Sequence, residues 1–187
     1  MTPHVLDSLR RGLAEGARRA EQEAAGALAR LEAAGGTGEG PLLRLRVDAL
    51  GRLLEVTFTH AVLTATPTAF TAAVQAAYRD ACRAVQPLPG RPELAAAGAA
   101  STTPGSHAPA ARAASAAAAL PAWVLAGRDE GVEVELDGRG RLLLARAGTE
   151  ALRAGPELLA ARLTGAWRRA EGERTDRLRR ALSGERA

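Results

Sequence analysis

The segment LRLRVDALGRLLEVTFT, residues 43–59, predicts a β-hairpin. Leu43, Leu45 and Val47 stand at every second position with arginines between them, which is the period of a strand with one buried face. The predicted turn at 49–51 ends in glycine, a residue that readily adopts turn conformations. The residues that follow, 52–59, predict the returning strand.

A helix is expected shortly after this hairpin. Pro67 suits the first turn of a helix, because the N–H that proline lacks would have no helical partner there. Apolar residues then recur at helical spacing, and Pro87 and Pro89 break the helix. The predicted buried face consists of Phe70, Val74, Tyr78, Ala81 and Val85.

The same pattern occurs a second time, at a constant shift of 89 residues and without a gap. Asp48 aligns with Asp137, Gly51 with Gly140, and Tyr78 with Trp167. A shared register through hairpin, loop and helix indicates an internal duplication. The second helix begins at Pro156, and its predicted apolar face consists of Leu159, Leu163, Trp167, Ala170, Leu178 and Ala181.

The size of each copy predicts how the two are arranged. A hairpin of two strands is marginal on its own, so we expect the copies to pack together about a pseudo-two-fold axis, as a pseudo-dimer. The predicted fold class is α+β, with antiparallel strands and long helical arms. Outward-facing Arg44 and Arg46 align with Glu133 and Glu135, and these residues would attract each other if their strands lay side by side.

The N-terminal region predicts one long helix, residues 4–34. Its apolar stripe favours either an amphipathic surface helix or an arm that pairs with another helix. The glycine-rich run 35–41 is expected to end this helix. The predicted domains are a first unit over 1–85, an Ala/Pro-rich linker over 86–128 and a second unit over 129–187.

Composition excludes several classes of protein. The hydrophobic fraction of 47% is enough for a core, and the aromatic fraction of 3% makes that core aliphatic. All 25 basic residues are arginine, but the net charge is only +4, so the chain lacks the uniformly positive surface of a histone-like protein. A single cysteine, Cys82, excludes an internal disulfide and favours the reducing cytoplasm. We expect neither a signal peptide nor a membrane span.

The run GEGPLLRLRVDALGRL, residues 38–53, resembles the YbaB/EbfC family of bacterial nucleoid-associated proteins. The resemblance covers residues 4–85, and again 131–183 without the leading helix. It implies DNA binding with little sequence preference, a dimeric architecture with protruding helical arms, and a place in the nucleoid. The chain departs from the family pattern because it carries two copies and its helical arms are unequal.

Arginines that could meet DNA phosphates cluster on the first and last helices. Arg169, Arg177 and Arg180 fall near one face of the last helix by helical spacing. Acidic neighbours dilute this patch, so a solvated helix of mixed charge is the competing interpretation. The predicted DNA-binding residues are Arg10, Arg11, Arg18, Arg19, Arg162, Arg168, Arg169, Arg174, Arg177, Arg179 and Arg180.

The sequence leaves one rival function open, a protein-interaction or scaffolding module that has lost DNA binding. The low net charge and the acidic strand of the second copy favour this rival, and the N-terminal helix would be its means of self-association or of binding a partner. Catalysis, a metal site and a cofactor are not expected. The histidines are scattered, and Cys82 has no second cysteine with which to bind zinc.

Overall fold

The computed structural model describes residues 3–85, 118 and 120–183, with side chains for 15–27, 29–85, 118, 120 and 122–183. The first copy contains helix α1 (Pro3–Ala33), strands β1 (Gly36–Glu39), β2 (Leu43–Val47) and β3 (Leu53–Phe58), a short 3-10 helix (His60–Thr64) and helix α2 (Pro67–Ala84). The second copy contains strands β4 (Val124–Asp129), β5 (Val132–Asp137) and β6 (Leu142–Ala147), and helices α3 (Thr149–Arg153) and α4 (Pro156–Ser183).

The predicted α+β class is confirmed. Strands β1, β2 and β3 form one antiparallel sheet in that order, and β4, β5 and β6 form another. The three predicted long helices are present, and α4 is longer than α2, as expected. The part of the predicted linker that covers 86–117 and 119 lies outside the described residues.

Each copy contains three strands, so the prediction of a two-stranded unit was wrong. Strand β1 lies in the glycine-rich run that was expected only to end a helix, and all of β4 except its last residue, Asp129, lies in the predicted linker. Glycine is depleted in strands, which hid β1. Here glycine permits close packing, because a Cβ on Gly38 would overlap the carbonyl oxygen of Ala77 in α2. Gly127 stands in the same relation to Ala166 in α4.

The structure repeats the duplication in its irregular features. The ladder between the second and third strands is interrupted between Arg46 and Val47, and at the aligned position between Glu135 and Leu136. Gly51 and Gly140 both have φ of 84°, a conformation that favours glycine. Conserved geometry at such local details indicates that both copies fold in the same way.

The two copies pack on each other reciprocally. Helix α2 contacts β1 and β2 of its own sheet and also β6 of the other sheet, while α4 contacts β4, β5 and β3. The 3-10 helix of the first copy contacts α3, the segment with which it aligns. Buried side chains from both copies form one continuous core, whose largest members include Phe70, Leu43, Leu45, Leu125, Leu136, Leu152, Leu159 and Leu163.

The expected attraction between the outward charges of the two copies does not occur, because β2 and β5 are the central strands of separate sheets. Two of these charges, Arg44 and Glu133, instead have a partner within their own sheet. Arg44 Nε lies 3.1 Å from Glu39 Oε1, and Arg128 Nη2 lies 2.8 Å from Glu133 Oε1. These two ion pairs occupy aligned positions, since Arg44 aligns with Glu133 and Glu39 aligns with Arg128. The central strand carries the arginine in the first copy and the glutamate in the second, and the first strand of each sheet carries the opposite charge.

Candidate nucleic-acid interface

Two of the predicted DNA-binding arginines attach α4 to the end of β4 and to the turn between β4 and β5. Arg162 Nη2 lies 2.5 Å from Glu130 Oε2, and only 18% of the Arg162 side chain is exposed. Arg169 Nη1 lies 2.9 Å from Asp129 Oδ1 and also donates to the carbonyl oxygen of Arg128. These contacts hold the helix against β4 and the turn that follows it, which gives both arginines a structural role.

Two further arginines of α4 pack against the body of the second copy. The Nε atom of Arg174 is buried beside Gly140 and has no hydrogen-bond partner among the described residues. The guanidinium carbon of Arg177 lies 5.0 Å from the centre of the Trp123 ring, a cation–π contact. The face predicted from Arg169, Arg177 and Arg180 is therefore partly used for packing within the chain.

The remaining predicted arginines of α4 are exposed. Arg168 has no ion-pair partner in the described part of the chain. Arg179 forms an ion pair of 2.9 Å with Asp176, but 73% of its side chain is exposed. Arg180 donates to the carbonyl oxygen of Asp176 at 3.4 Å. An ion pair as exposed as that of Arg179 with Asp176 contributes little free energy, so Arg179 can bind a phosphate instead.

Helix α1 presents most of its described side chains to solvent. Its C-terminal end is attached to the turn between β2 and β3, where the N–H of Ala49 donates to the carbonyl oxygen of Leu31 at 3.0 Å. Arg18 and Arg19 are exposed. The side chains of Arg10 and Arg11 lie outside the described residues. Helix α1 thus resembles an arm that is held at one end.

Sequence reasoning missed a group of four arginines that converge on one cleft between the copies. Arg79 and Arg83 come from α2, while Arg139 and Arg141 come from the hairpin turn of the second copy. The cleft has a volume of about 970 Å³. The sequence shows that each pair is closely spaced, four residues apart on the helix and two residues apart at the turn. It does not indicate that the two pairs line the same cleft.

Tyr78 lies at the wall of this cleft. Its hydroxyl group donates to the carbonyl oxygen of Gly51 at 2.9 Å. Burial raises the pKa of Tyr78 above its ordinary value of 10.0, while a hydrogen bond from the backbone of Leu142 and the nearby charge of Arg141 act in the opposite direction. The phenol is therefore protonated at neutral pH and serves as a hydrogen-bond donor.

The described residues contain no cluster of three or more histidine, cysteine, aspartate or glutamate side chains that could hold a metal ion. Within the same residues, no helix is long and apolar enough to cross a membrane.

Comparisons with protein-family models, with curated proteins and with solved structures give no match for this chain.

Proposed function

We propose that this chain is a nucleoid-associated protein that binds double-stranded DNA, mainly through arginine–phosphate contacts and with little sequence preference. The observation that carries the proposal is that two long helices expose arginines beyond the packed core. Helix α1 exposes Arg18 and Arg19, and the end of α4 exposes Arg179 and Arg180. The last buried residue of α4 is Ala170, and the helix continues beyond Arg177, which packs on Trp123, to Ser183.

The chemistry of the exposed surface favours duplex DNA over single strands. Proteins that bind single strands stack bases on exposed aromatic side chains. All five aromatic residues of this chain are buried or half-buried. Exposed arginines can bind the phosphates of a duplex without reading its bases, which gives affinity with little sequence preference.

The proposal includes a pseudo-dimeric arrangement of the two copies, in the manner of the YbaB/EbfC family. Reciprocal contacts of α2 with β6 and of α4 with β3 support this arrangement, because a two-fold interface places the same surface on both sides. The C-terminal helices of the two copies are unequal, since α2 ends at Ala84 whereas α4 spans Pro156–Ser183. We infer that DNA would meet one arm from each copy.

The second candidate function is a protein-interaction module. It is favoured by the number of predicted DNA-binding arginines that make contacts within the chain, namely Arg162, Arg169, Arg174 and Arg177. In this case α1 would bind a partner protein or a second copy of the chain. The nucleoid-associated protein would bind DNA with an affinity that falls as salt rises, whereas the interaction module would not bind DNA.

Titration of a labelled DNA duplex at several salt concentrations tests the proposal. A binder that neutralises phosphates loses affinity as salt rises, with a logarithmic slope of about 0.9 for each phosphate contact. We expect R18Q/R19Q and R179Q/R180Q each to reduce this slope by about 2. The control is R146Q/R153Q, which removes the same charge from exposed positions in β6 and α3. Absence of binding at low salt would overturn the proposal and favour the interaction module.

A further inference from the structure

The cleft between the two copies differs from the arms in being a concave site. It lies between the first hairpin turn, the C-terminal half of α2 and the second hairpin turn. Ala49, Leu50 and Gly51 line it from the first copy, and residues between 137 and 143 line it from the second copy. Because residues from both copies line it, the cleft exists only when the copies are packed together.

The charge lining this cleft is strongly positive. Four arginines and a single acidic residue, Asp137, line it. The Oδ1 atom of Asp137 is already used, since it accepts the backbone N–H groups of Arg139 and Arg141 at 2.9 Å. Within the described residues, the side chains of these two arginines have no ion-pair partner. An excess of positive charge around one cleft attracts an anion, because a bound anion offsets the repulsion between the arginines.

Arg141 differs from its aligned residue in a way that supplies charge to the cleft. In the first copy, Arg52 Nε donates to the buried Oδ2 atom of Asp48 at 2.7 Å, which neutralises both groups. In the second copy, Arg141 is exposed and its side chain lies beside Gly51 instead. One arginine of the repeat is thus held by an aspartate, while the other faces the cleft.

The aligned residues on the other side of the molecule differ in charge and in packing. Helix α2 ends at Ala84, whereas α4 continues, and Arg174, which aligns with Val85, packs beside Gly140. The residues that align with Arg83 and Arg139 are Gly172 and Leu50, which carry no charge. Arg79 and Arg141 align with the arginines Arg168 and Arg52, so two of the four arginines of the cleft have a counterpart and two do not. The duplication alone therefore does not account for the charge of this cleft.

We propose that this cleft binds a phosphate-bearing anion, held chiefly by Arg79, Arg139 and Arg141. Guanidinium groups bind phosphate with two parallel hydrogen bonds each, and their planar shape suits convergence on one group from several directions. Among the described residues, the side chain of Arg79 has one hydrogen-bond partner, the carbonyl oxygen of Gln75 at 3.3 Å, so it can turn toward an anion. Arg83 contributes less, because it forms an exposed ion pair with Asp80.

Two sources could supply this phosphate, the backbone of DNA or a small free phosphate compound. The inference does not depend on the DNA-binding proposal, because the arginines of the arms and those of the cleft are different residues. Calorimetric titration of the full chain with pyrophosphate, at matched ionic strength in chloride, measures binding of the free compound. The same variants titrated with a DNA duplex measure the contribution of the cleft to DNA binding.

We expect R139Q/R141Q to lose at least tenfold in affinity for pyrophosphate, while R18Q/R19Q and R146Q/R153Q bind as the unaltered chain does. Thermal melting shows whether the variants fold. We expect them to fold, because the hydrogen bonds of the Asp137 side chain to this turn are to the backbone N–H groups of Arg139 and Arg141, which the substitutions leave in place. R79Q, which changes a different element, provides an independent variant of the same site. It should weaken pyrophosphate binding as well.

The DNA titrations distinguish the sources. Unchanged DNA affinity in R139Q/R141Q, with pyrophosphate binding lost, assigns the cleft to a small phosphate compound. Reduced DNA affinity in R139Q/R141Q but not in R146Q/R153Q assigns it to the DNA backbone, even if pyrophosphate alone binds weakly. Equal pyrophosphate binding in all variants, or no pyrophosphate binding together with unchanged DNA affinity, would overturn the proposed phosphate site. If R18Q/R19Q does not weaken DNA binding, that result contradicts the proposed role of helix α1 in DNA binding and leaves the proposed phosphate site unaffected.

Discussion

Tyr78 and Trp167, which occupy aligned positions in the two copies, contact each other across the junction between the copies. Their ring centres are 5.8 Å apart, with an angle of 48° between the ring planes. Contact between a residue and its own equivalent is characteristic of the axis of a two-fold interface. Both rings are buried, with 6% of Tyr78 and 3% of Trp167 exposed. The junction is therefore part of the core.

Truncation of Trp167 should destabilise both copies together. We expect W167A to lower the free energy of unfolding by about 3–5 kcal/mol, because a large buried ring is replaced by a cavity at the junction. Urea denaturation followed by circular dichroism measures this change. L182A, at a position 49% exposed near the end of α4, should change stability by less than about 0.5 kcal/mol. Two separate unfolding transitions in the unaltered chain would contradict a shared core.

Alkaline pH should destabilise the chain through its only tyrosine. Burial raises the pKa of Tyr78 in the folded state, so the stability that depends on the protonated phenol is complete below pH 10.0, the ordinary pKa of tyrosine, and is lost above it. The loss should be about 1.4 kcal/mol per pH unit between that value and the raised pKa of the folded state.

Tyrosinate absorbance provides the measurement, because Tyr78 alone contributes to it and no lysine titrates in the same range. We expect ionisation well above pH 10.0 in the folded chain, and near that value in urea. Y78F should be less stable by about 1 kcal/mol at neutral pH, since it lacks the bond to Gly51. A slope as steep in Y78F as in the unaltered chain would show that another group is responsible.

The glycines of the first strands should be intolerant of a side chain. In G127A the added Cβ would overlap the carbonyl oxygen of Ala166, and we expect a loss of about 3 kcal/mol, at the upper end of the cost of overpacking. G172A in α4 is the matched control, since its Cβ would meet nothing within 4 Å. It should stabilise the helix by about 0.5–1 kcal/mol. Equal melting temperatures for the two variants would contradict the close packing of β4 on α4.

The exchanged ion pairs predict which reversals of charge compensate each other. E133R places an arginine beside Arg128 and should cost up to about 1 kcal/mol, and adding R128E should restore most of that loss. R44E, in the other sheet, should not restore it, because Arg44 pairs with Glu39. Chemical denaturation of the single and double variants measures the coupling. Restoration by R44E would show that the two central strands interact after all.

The sequence by itself determined the repeat and the local features that accompany it. The period-two pattern of Leu43, Leu45 and Val47 predicted β2 because alternation reflects the geometry of a single strand. Pro67 and Pro156 marked the starts of α2 and α4 for an equally local reason. The gap-free shift of 89 residues then transferred each feature from one copy to the other.

Tertiary structure alone decided the third strand of each sheet and the position of the cleft. Strand β1 contains two glycines among four residues, and their use is evident only from the backbone of α2 that they approach. Arg79 and Arg141 lie 62 positions apart in the chain and meet because the copies pack reciprocally. Periodicity reports the geometry of one element, whereas contacts between distant elements depend on how the whole chain closes its core.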